Sequence, residues 1–393
     1  MKFLFSLLFV FSLWSPPALA GGAPLCATVF QIQAFQIQAP AEILWGSLRK
    51  DFKHHTRYTV DLKQSTAIKN QCNLGTCHLH SWMSHLERSY EQKTGQTLTL
   101  SNEYLSARHW LERSLQRLEK SSKEVDVKLG AGPLFSRESI LEYGLMPEGA
   151  WKPKSDFMLN PQAKKMSDFI ENILVRTQWQ AEKTAEGPAR EAVLEQGRNQ
   201  IKDLFHQMVG EVPAQFEFHG QSWTPKEFAK AYFASFEGPM TQVAIHNDRR
   251  AKPEFSKSEQ GRKLTTSIDV VENTARRMLD KGEAVYLSYD HHAEYVDAAT
   301  GIMSIRAFHI PTYARPATRQ MREAFDTNSG GHAVQIVGYD LDPRTGRVVK
   351  WKIRNSWGTK KGDEGYYHMY DDYFRAFAKS ITVPSEALPF VPM

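Results

Sequence analysis

Two runs in the last quarter of the chain, "GHAVQIVGYD" (331–340) and "VVKWKIRN" (348–355), constrain its fold more than any other feature. Both are rich in β-branched and aromatic residues, and the turn-forming "LDPRTG" lies between them, which predicts an antiparallel hairpin. If Asp340 faces Arg347 across the turn, paired residue numbers sum to 687 and His332 stands opposite Asn355. A carboxamide in that place would hold an imidazole in one orientation. Trp357, two residues further on, is placed to roof the bond and keep water off it.

A second stretch, "NQCNLGTCHLHSW" (70–82), brings two cysteines, a preceding glutamine and two following histidines together. After it, Leu79, Trp82, Met83, Leu86 and Tyr90 recur at helical spacing, so a helix buried on one side is expected with Cys77 at its start. Unpaired amides at a helix N-terminus carry partial positive charge, which favours a thiolate there. A thiol at a helix start, an imidazole and an orienting amide are the parts of a nucleophilic site.

The remaining chain organises around these segments. Residues 1–20, with Lys2, an apolar run from Phe3 to Leu13, Pro16, Pro17 and a small-residue end at Ala18 and Ala20, read as a cleavable export signal. Removing it takes away Lys2 and leaves 48 basic against 44 acidic side chains, too mild and too scattered an excess for a nucleic-acid surface. No later run is as long and apolar as a membrane helix, so no membrane association is expected after cleavage. Helices are expected over "SNEYLSARHWLERSLQRLEK" with Ser101 as cap, over a hairpin from Met166 to Met208 broken at Glu186–Pro188, over "TPKEFAKAYF" with a capping box from Thr224 to Glu227, and over "SIDVVENTARRMLDKGE". "RYTVDL" and "AVYLSYD" read as strands. The expected divisions are 1–20 signal, 21–69 N-terminal segment, 70–160 helical lobe, 161–240 helical insertion and 241–393 β-rich lobe, an α+β arrangement.

Asn70 and Gln71, "GTC" ending at Cys77, "GHAVQIVGYD" with His332, and "IRNSWGTKKGDEGYY" with Asn355 and Trp357 occur in an order that resembles the papain-type cysteine peptidases. "LDKGEAVYLSYD", "TGIM", "KWKIRNSWG" and "GYYHMYDDYFRAF" are similar to the bleomycin hydrolase and aminopeptidase C branch, from about Lys69 to Val383. The resemblance implies a papain-like two-lobed fold, one lobe helical and one an antiparallel β-sheet or barrel. It implies Cys77 as nucleophile, His332 as general base and later acid, and Asn355 as the group orienting His332. Gln71 and the Cys77 amide would form the oxyanion hole. "GAGPLFSRESILEYG" is similar to the family segment that pairs with substrate, so Gly130, Ala131 and Gly132 are expected in the cleft, with Gly331 and Trp357 on its other walls. A peptide or protein substrate and no cofactor follow.

The sequence also departs from that pattern. His78 follows the nucleophile where the family usually carries Trp. Branch members are typically cytosolic hexamers whose C-terminal arm enters the cleft, whereas this chain reads as periplasmic or extracellular and ends "SEALPFVPM", so oligomeric state, exo- or endo-cleavage and the role of the tail stay open. Of three cysteines, Cys26 and Cys72 are candidates for a disulfide, and a Cys72–Cys77 bridge would silence the site. A metal site from Cys72, Cys77, His80 and His85 lacks a carboxylate and a common face. The pairs His54–His55 and His291–His292 are expected to be solvated. The competing functional class is a papain-like binding protein without catalysis.

Overall fold

The computed structural model describes residues 46–120, 125–246, 254–258, 261–325, 327 and 330–388. The expected signal segment and Cys26 lie outside them. After β1 (Val60–Asp61) come α1 (Cys77–Thr94), α2 (Asn102–Glu119), α3 (Pro133–Tyr143), α4 (Gln162–Lys183) and α5 (Pro188–Met208). A small hairpin, β2 (Phe216–Phe218) and β3 (Gln221–Trp223), precedes α6 (Pro225–Phe233), β4 (Met240–Ile245), β5 (Glu254–Ser258) and β6 (Gly261–Thr266). The chain continues through α7 (Ile268–Asp280), β7 (Val285–Asp290), β8 (Ile302–Met303), α8 (Arg319–Ala324), β9 (Gly331–Leu341), β10 (Val348–Arg354), β11 (Tyr366–Tyr370), α9 (Asp371–Phe377) and β12 (Ala378–Pro384).

Local chemistry sets the helix ends. Ser101 accepts the Tyr104 N–H at 3.1 Å, a single cap without a reciprocal carboxylate. Thr224 and Glu227 close a full capping box ahead of α6, with Pro225 at its first position. The α1 face of Leu79, Trp82, Met83, Leu86 and Tyr90 is buried, as its spacing requires. No helix among the described residues is long and apolar enough to cross a membrane.

Apart from the separate β2–β3 hairpin, the described strands form one sheet in the order β5-β6-β4-β12-β7-β9-β10-β11-β8, with β1 added beside β9. Its central pairs are antiparallel, as expected, while β4–β6 and β8–β11 run parallel, so the whole α+β fold carries a mixed sheet. β1 can lie against β9 because Gly338 has no side chain; a Cβ there would stand 2.4 Å from the Val60 carbonyl oxygen.

The hairpin register differs from the sequence expectation. Asp340 pairs with Lys350 and Leu341 with Val348, and the turn closes where the Asp342 N–H meets the Arg347 carbonyl at 2.9 Å. Two irregularities, at Val348/Lys350 and Lys352/Ile353, shift the ladder further, so Arg354 faces Gln335 and His332 is not paired with Asn355; on the other edge of β9 His332 pairs with Tyr289 of β7. The counting rule assumed a regular ladder and a looser turn over 341–346, whereas the ladder is irregular and the turn closes more tightly, over 343–346.

Burial gathers in three clusters. One fills the space between the sheet, α7 and α9, around Trp351, Tyr367 and Phe374. Another joins α1, α3 and α6 and takes in Tyr286 of β7 and Ala333 of β9, so α1 rests directly on the sheet. The third packs α2 against the α4–α5 hairpin through Trp110, Ile170, Leu174 and Phe205. The N-terminus of α1 thereby meets the start of β9.

Candidate active site

Cys77 is the first residue of α1. Its N-cap, Thr76, makes no side-chain hydrogen bond to the helix, so the first amides are not consumed by a cap and stay available to an anion. His332 is the second residue of β9, and Asn355 follows β10 directly. Cys77 is 8% exposed and Gln71, His332 and Asn355 are each 7% exposed, so all four are shielded yet still reachable from solvent.

Two sets of bonds bring α1 and the sheet into fixed relation. One turn below Cys77, the Ser81 hydroxyl donates to the Val334 carbonyl at 2.9 Å, and the Gln335 amide donates to the Ser81 carbonyl at 2.9 Å and hydroxyl at 3.1 Å. Above, the Gln71 N–H donates to the Ser356 carbonyl at 2.9 Å and the Ser356 hydroxyl to Gln71 Oε1 at 2.6 Å. Gly365 supports the second set: its φ is +89°, a Cβ would fall 2.7 Å from Ile68, and its carbonyl accepts the Asn355 N–H at 3.3 Å.

The state of His332 follows from its partners. Asn355 Oδ1 accepts the Ser356 N–H at 2.8 Å, which identifies that atom as the oxygen, and it lies 2.8 Å from His332 Nε2. His332 Nε2 therefore carries a proton. Burial pushes this imidazole down to about 4, although the Asn355 bond pulls upward, so near neutral pH the ring is uncharged and Nδ1 is a bare acceptor. Trp357 stacks over the ring at 4.6 Å and 21°, and Tyr289 approaches edge-on at 5.7 Å. The roofing tryptophan stands where the sequence placed it, although the backbone pairing does not.

The Cys77 thiol differs from the simple helix-dipole expectation. Burial raises it above the ordinary thiol value, and the N–H groups of Ala333, His78 and Cys77 offset that only in part. The influence of the Ala333 N–H on the thiol brings the start of β9, where His332 stands, next to the start of α1. At rest this environment favours the thiol and a neutral imidazole over an ion pair. Gln71 Nε2 donates one N–H to the Leu74 carbonyl at 2.9 Å and has a second N–H left to give.

The other sequence candidates divide. Gly130 and Gly132 face open space where a Cβ would stand, with Ala131 between them, and so does Gly331. Cys72 and Cys77 are both free thiols; the suggested Cys26 partner is not among the described residues. No group of three or more His, Cys, Asp or Glu that could hold a metal occurs among the described residues, and His80 is buried with neither ring nitrogen bonded. Of the histidine pairs expected to be solvated, His55 is exposed, but His54, His291 and His292 are half-buried. His54 bonds the Tyr370 hydroxyl at 3.0 Å and meets the His368 ring at 4.5 Å, while His291 meets Trp357 at 5.0 Å and His292 stacks on Phe377 at 4.2 Å. Sequence reasoning missed Ser81, Gln335 and Ser356, polar residues inside or beside apolar runs whose partners are remote in sequence.

Known proteins resemble this chain in sequence and fold. The yeast protein named "Cysteine proteinase 1, mitochondrial" (Saccharomyces cerevisiae) is 24% identical over 381 residues, covering 84% of this chain and 77% of its own. "Aminopeptidase C" of Lactobacillus helveticus is 22% identical over 280 residues, 64% of this chain and 60% of that one. The crystal structure of PepW from Lactobacillus rhamnosis superposes with a TM-score of 0.69 at 19% identity, covering 85% of this chain and 83% of that one, and shows the common papain-like fold. The Peptidase C1-like profile matches residues 137–391, well over half of the sequence. This chain belongs to the Peptidase C1-like family and is a papain-like cysteine peptidase acting on peptides or proteins.

Proposed function

We propose that this protein is exported and hydrolyses peptide bonds through an acyl-enzyme on Cys77, releasing residues from free peptide N-termini. The observation that carries the assignment is the bond from His332 Nε2 to Asn355, which leaves Nδ1 as the ring's acceptor, on the residue next to Ala333, whose N–H acts on the Cys77 thiol. The thiol proton passes to His332 Nδ1 as sulfur attacks the scissile carbonyl carbon. The carbonyl oxygen becomes negative against the Gln71 side-chain N–H and the Cys77 amide. Collapse breaks the C–N bond, His332 returns the proton to the leaving amine, and an acyl thioester remains. Water then gives a proton to His332 and attacks the thioester, releasing the carboxylic acid and restoring the thiol.

The N-terminal preference rests on relatives named as aminopeptidases. The export reading rests on residues 1–20, whose charged start, apolar run and small-residue end fit a cleaved signal. Matched fluorogenic peptides, one with a free N-terminus and one N-acylated, test the activity. The free peptide should be cleaved by the wild-type protein and by no Cys77→Ala preparation. Preferential cleavage of the acylated peptide would overturn the aminopeptidase assignment, and equal cleavage by Cys77→Ala would overturn the nucleophile. An N-terminus beginning at Gly21 on protein recovered outside the cytoplasm supports export; protein confined to the cytoplasm with an intact Met1 argues against it.

A further inference from the structure

We infer that His78, the residue directly after the nucleophile, is a positioning residue for substrate: together with His109 it holds the Leu129 carbonyl and so fixes the Gly130–Gly132 backbone beside Cys77. The inference rests on the peptidase reading above and deepens it by adding a determinant of substrate binding.

The Leu129 carbonyl oxygen lies 2.8 Å from His78 Nε2 and 2.8 Å from His109 Nε2, and the two rings meet edge to face at 4.8 Å. Exposure is 1% for His78 and 0% for His109. A carbonyl has two lone pairs, so it can accept an N–H from each neutral ring. Burial pushes His78 down to about 3 and His109 down to about 4, in keeping with that uncharged state. His78 Nδ1 must then be an acceptor; the Ser136 hydroxyl lies 2.7 Å from it and 2.6 Å from the Gly132 carbonyl, so its one proton is shared between these two acceptors and ties the ring to Gly132 as well.

Ser136 lies in the first turn of α3, where its own N–H bonds the Gly132 carbonyl at 3.0 Å. One imidazole on α1 therefore grips the glycine segment at both ends, directly at Leu129 and through Ser136 at Gly132. The segment abuts the nucleophile loop, since the Gly130 nitrogen is 3.6 Å from where a Gly75 Cβ would stand. Around Gly130 and Gly132 the positions of absent Cβ atoms are empty out to 4 Å, room through which another backbone can approach. An indole at position 78 could donate but could not accept from Ser136. The histidine departs from the family pattern in a way that adds a second tether.

The test uses His78→Phe, which removes both tethers, and His78→Gln, whose planar carboxamide supplies one donor and one acceptor. His109→Asn, away from the nucleophile, is the independent variant should His78→Phe fail to fold. Each is assayed with the peptide that the wild-type protein cleaves and, separately, for Cys77 alkylation by iodoacetamide, which needs no glycine segment. For His78→Phe, KM should rise about five- to tenfold more than the alkylation rate falls, as expected for lost hydrogen-bonded placement. His78→Gln should recover most of that rise, and His109→Asn should raise KM in the same sense. Parallel loss of alkylation and peptide turnover, or a His78→Gln no better than His78→Phe, would overturn the inference. Failure of the wild-type protein to cleave any peptide would instead count against the peptidase reading.

Discussion

At the scale of single residues, the proton inventory of His332 decides what the site can do. Its Nε2–H is committed to Asn355, so an ionised neighbour in place of the carboxamide should change its basicity with little change of shape. Asn355→Asp puts a carboxylate against the ring and stabilises the imidazolium, raising the value from about 4. Because the unprotonated ring is the base, the acid limb of the kcat/KM profile should move to higher pH; an unmoved limb would contradict the assignment. Gln71→Ala removes a proposed oxyanion donor and should lower kcat by about 10²–10³ with a smaller change in KM, measured by steady-state peptide hydrolysis. These residues were legible in the sequence because the types are chemically distinctive and stand in recognisable surroundings. His78 was visible only as a departure, since nothing in its neighbourhood names Leu129, 51 positions away, as its partner.

At the scale of elements, the site depends on α1 being tied to β9 and on the Asn355 loop being tied to Gln71. Gln335→Leu fills similar space but leaves the buried Ser81 carbonyl without its amide, at a cost of about 1–3 kcal/mol, read as a lower urea midpoint. Gly365→Ala combines a left-handed backbone with a Cβ driven into Ile68. It should lose stability and also activity beyond the stability loss, because the carbonyl holding the Asn355 N–H moves. Full activity in the folded fraction of Gly365→Ala would disprove that link. The helices around these ties were readable from apolar spacing and caps. The β9–β10 register was not, because the turn is tighter than counting from Asp340 and Arg347 supposes and the ladder slips at Val348/Lys350 and Lys352/Ile353. β5 and β6, "EFSKS" and "GRKLTT", escaped notice because their polar side chains hide the alternation that marks a half-buried strand.

At the scale of the whole molecule, the interior carries an unusual load of uncharged imidazoles. Burial lowers His78 to about 3 and holds His85, His109 and His332 at about 4, each below the ordinary histidine value. The unfolded chain binds protons at these rings below about pH 6.5 while the folded chain does not, so stability is fully present well above that pH and falls as pH drops toward 4. Each ring contributes a slope of up to about 1.4 kcal/mol per pH unit in that window. Together they can cancel a large part of the roughly 5–15 kcal/mol that a fold has to spare. Urea midpoints should therefore drop steeply between pH 6.5 and 4.5 and level off only above about pH 7.5; a flat curve across the lower window would contradict the neutral, buried state of these rings.

The most direct test of the central claim, one reactive sulfur served by His332 and Asn355, is peptide mapping of the protein after reaction with a peptidyl epoxide under reducing conditions. A single adduct on Cys77 is expected, absent from Cys77→Ala, slowed in Asn355→Ala and retained in Cys72→Ser. An adduct confined to Cys72, or labelling of Cys77→Ala as rapid as that of the wild-type protein, would contradict that claim.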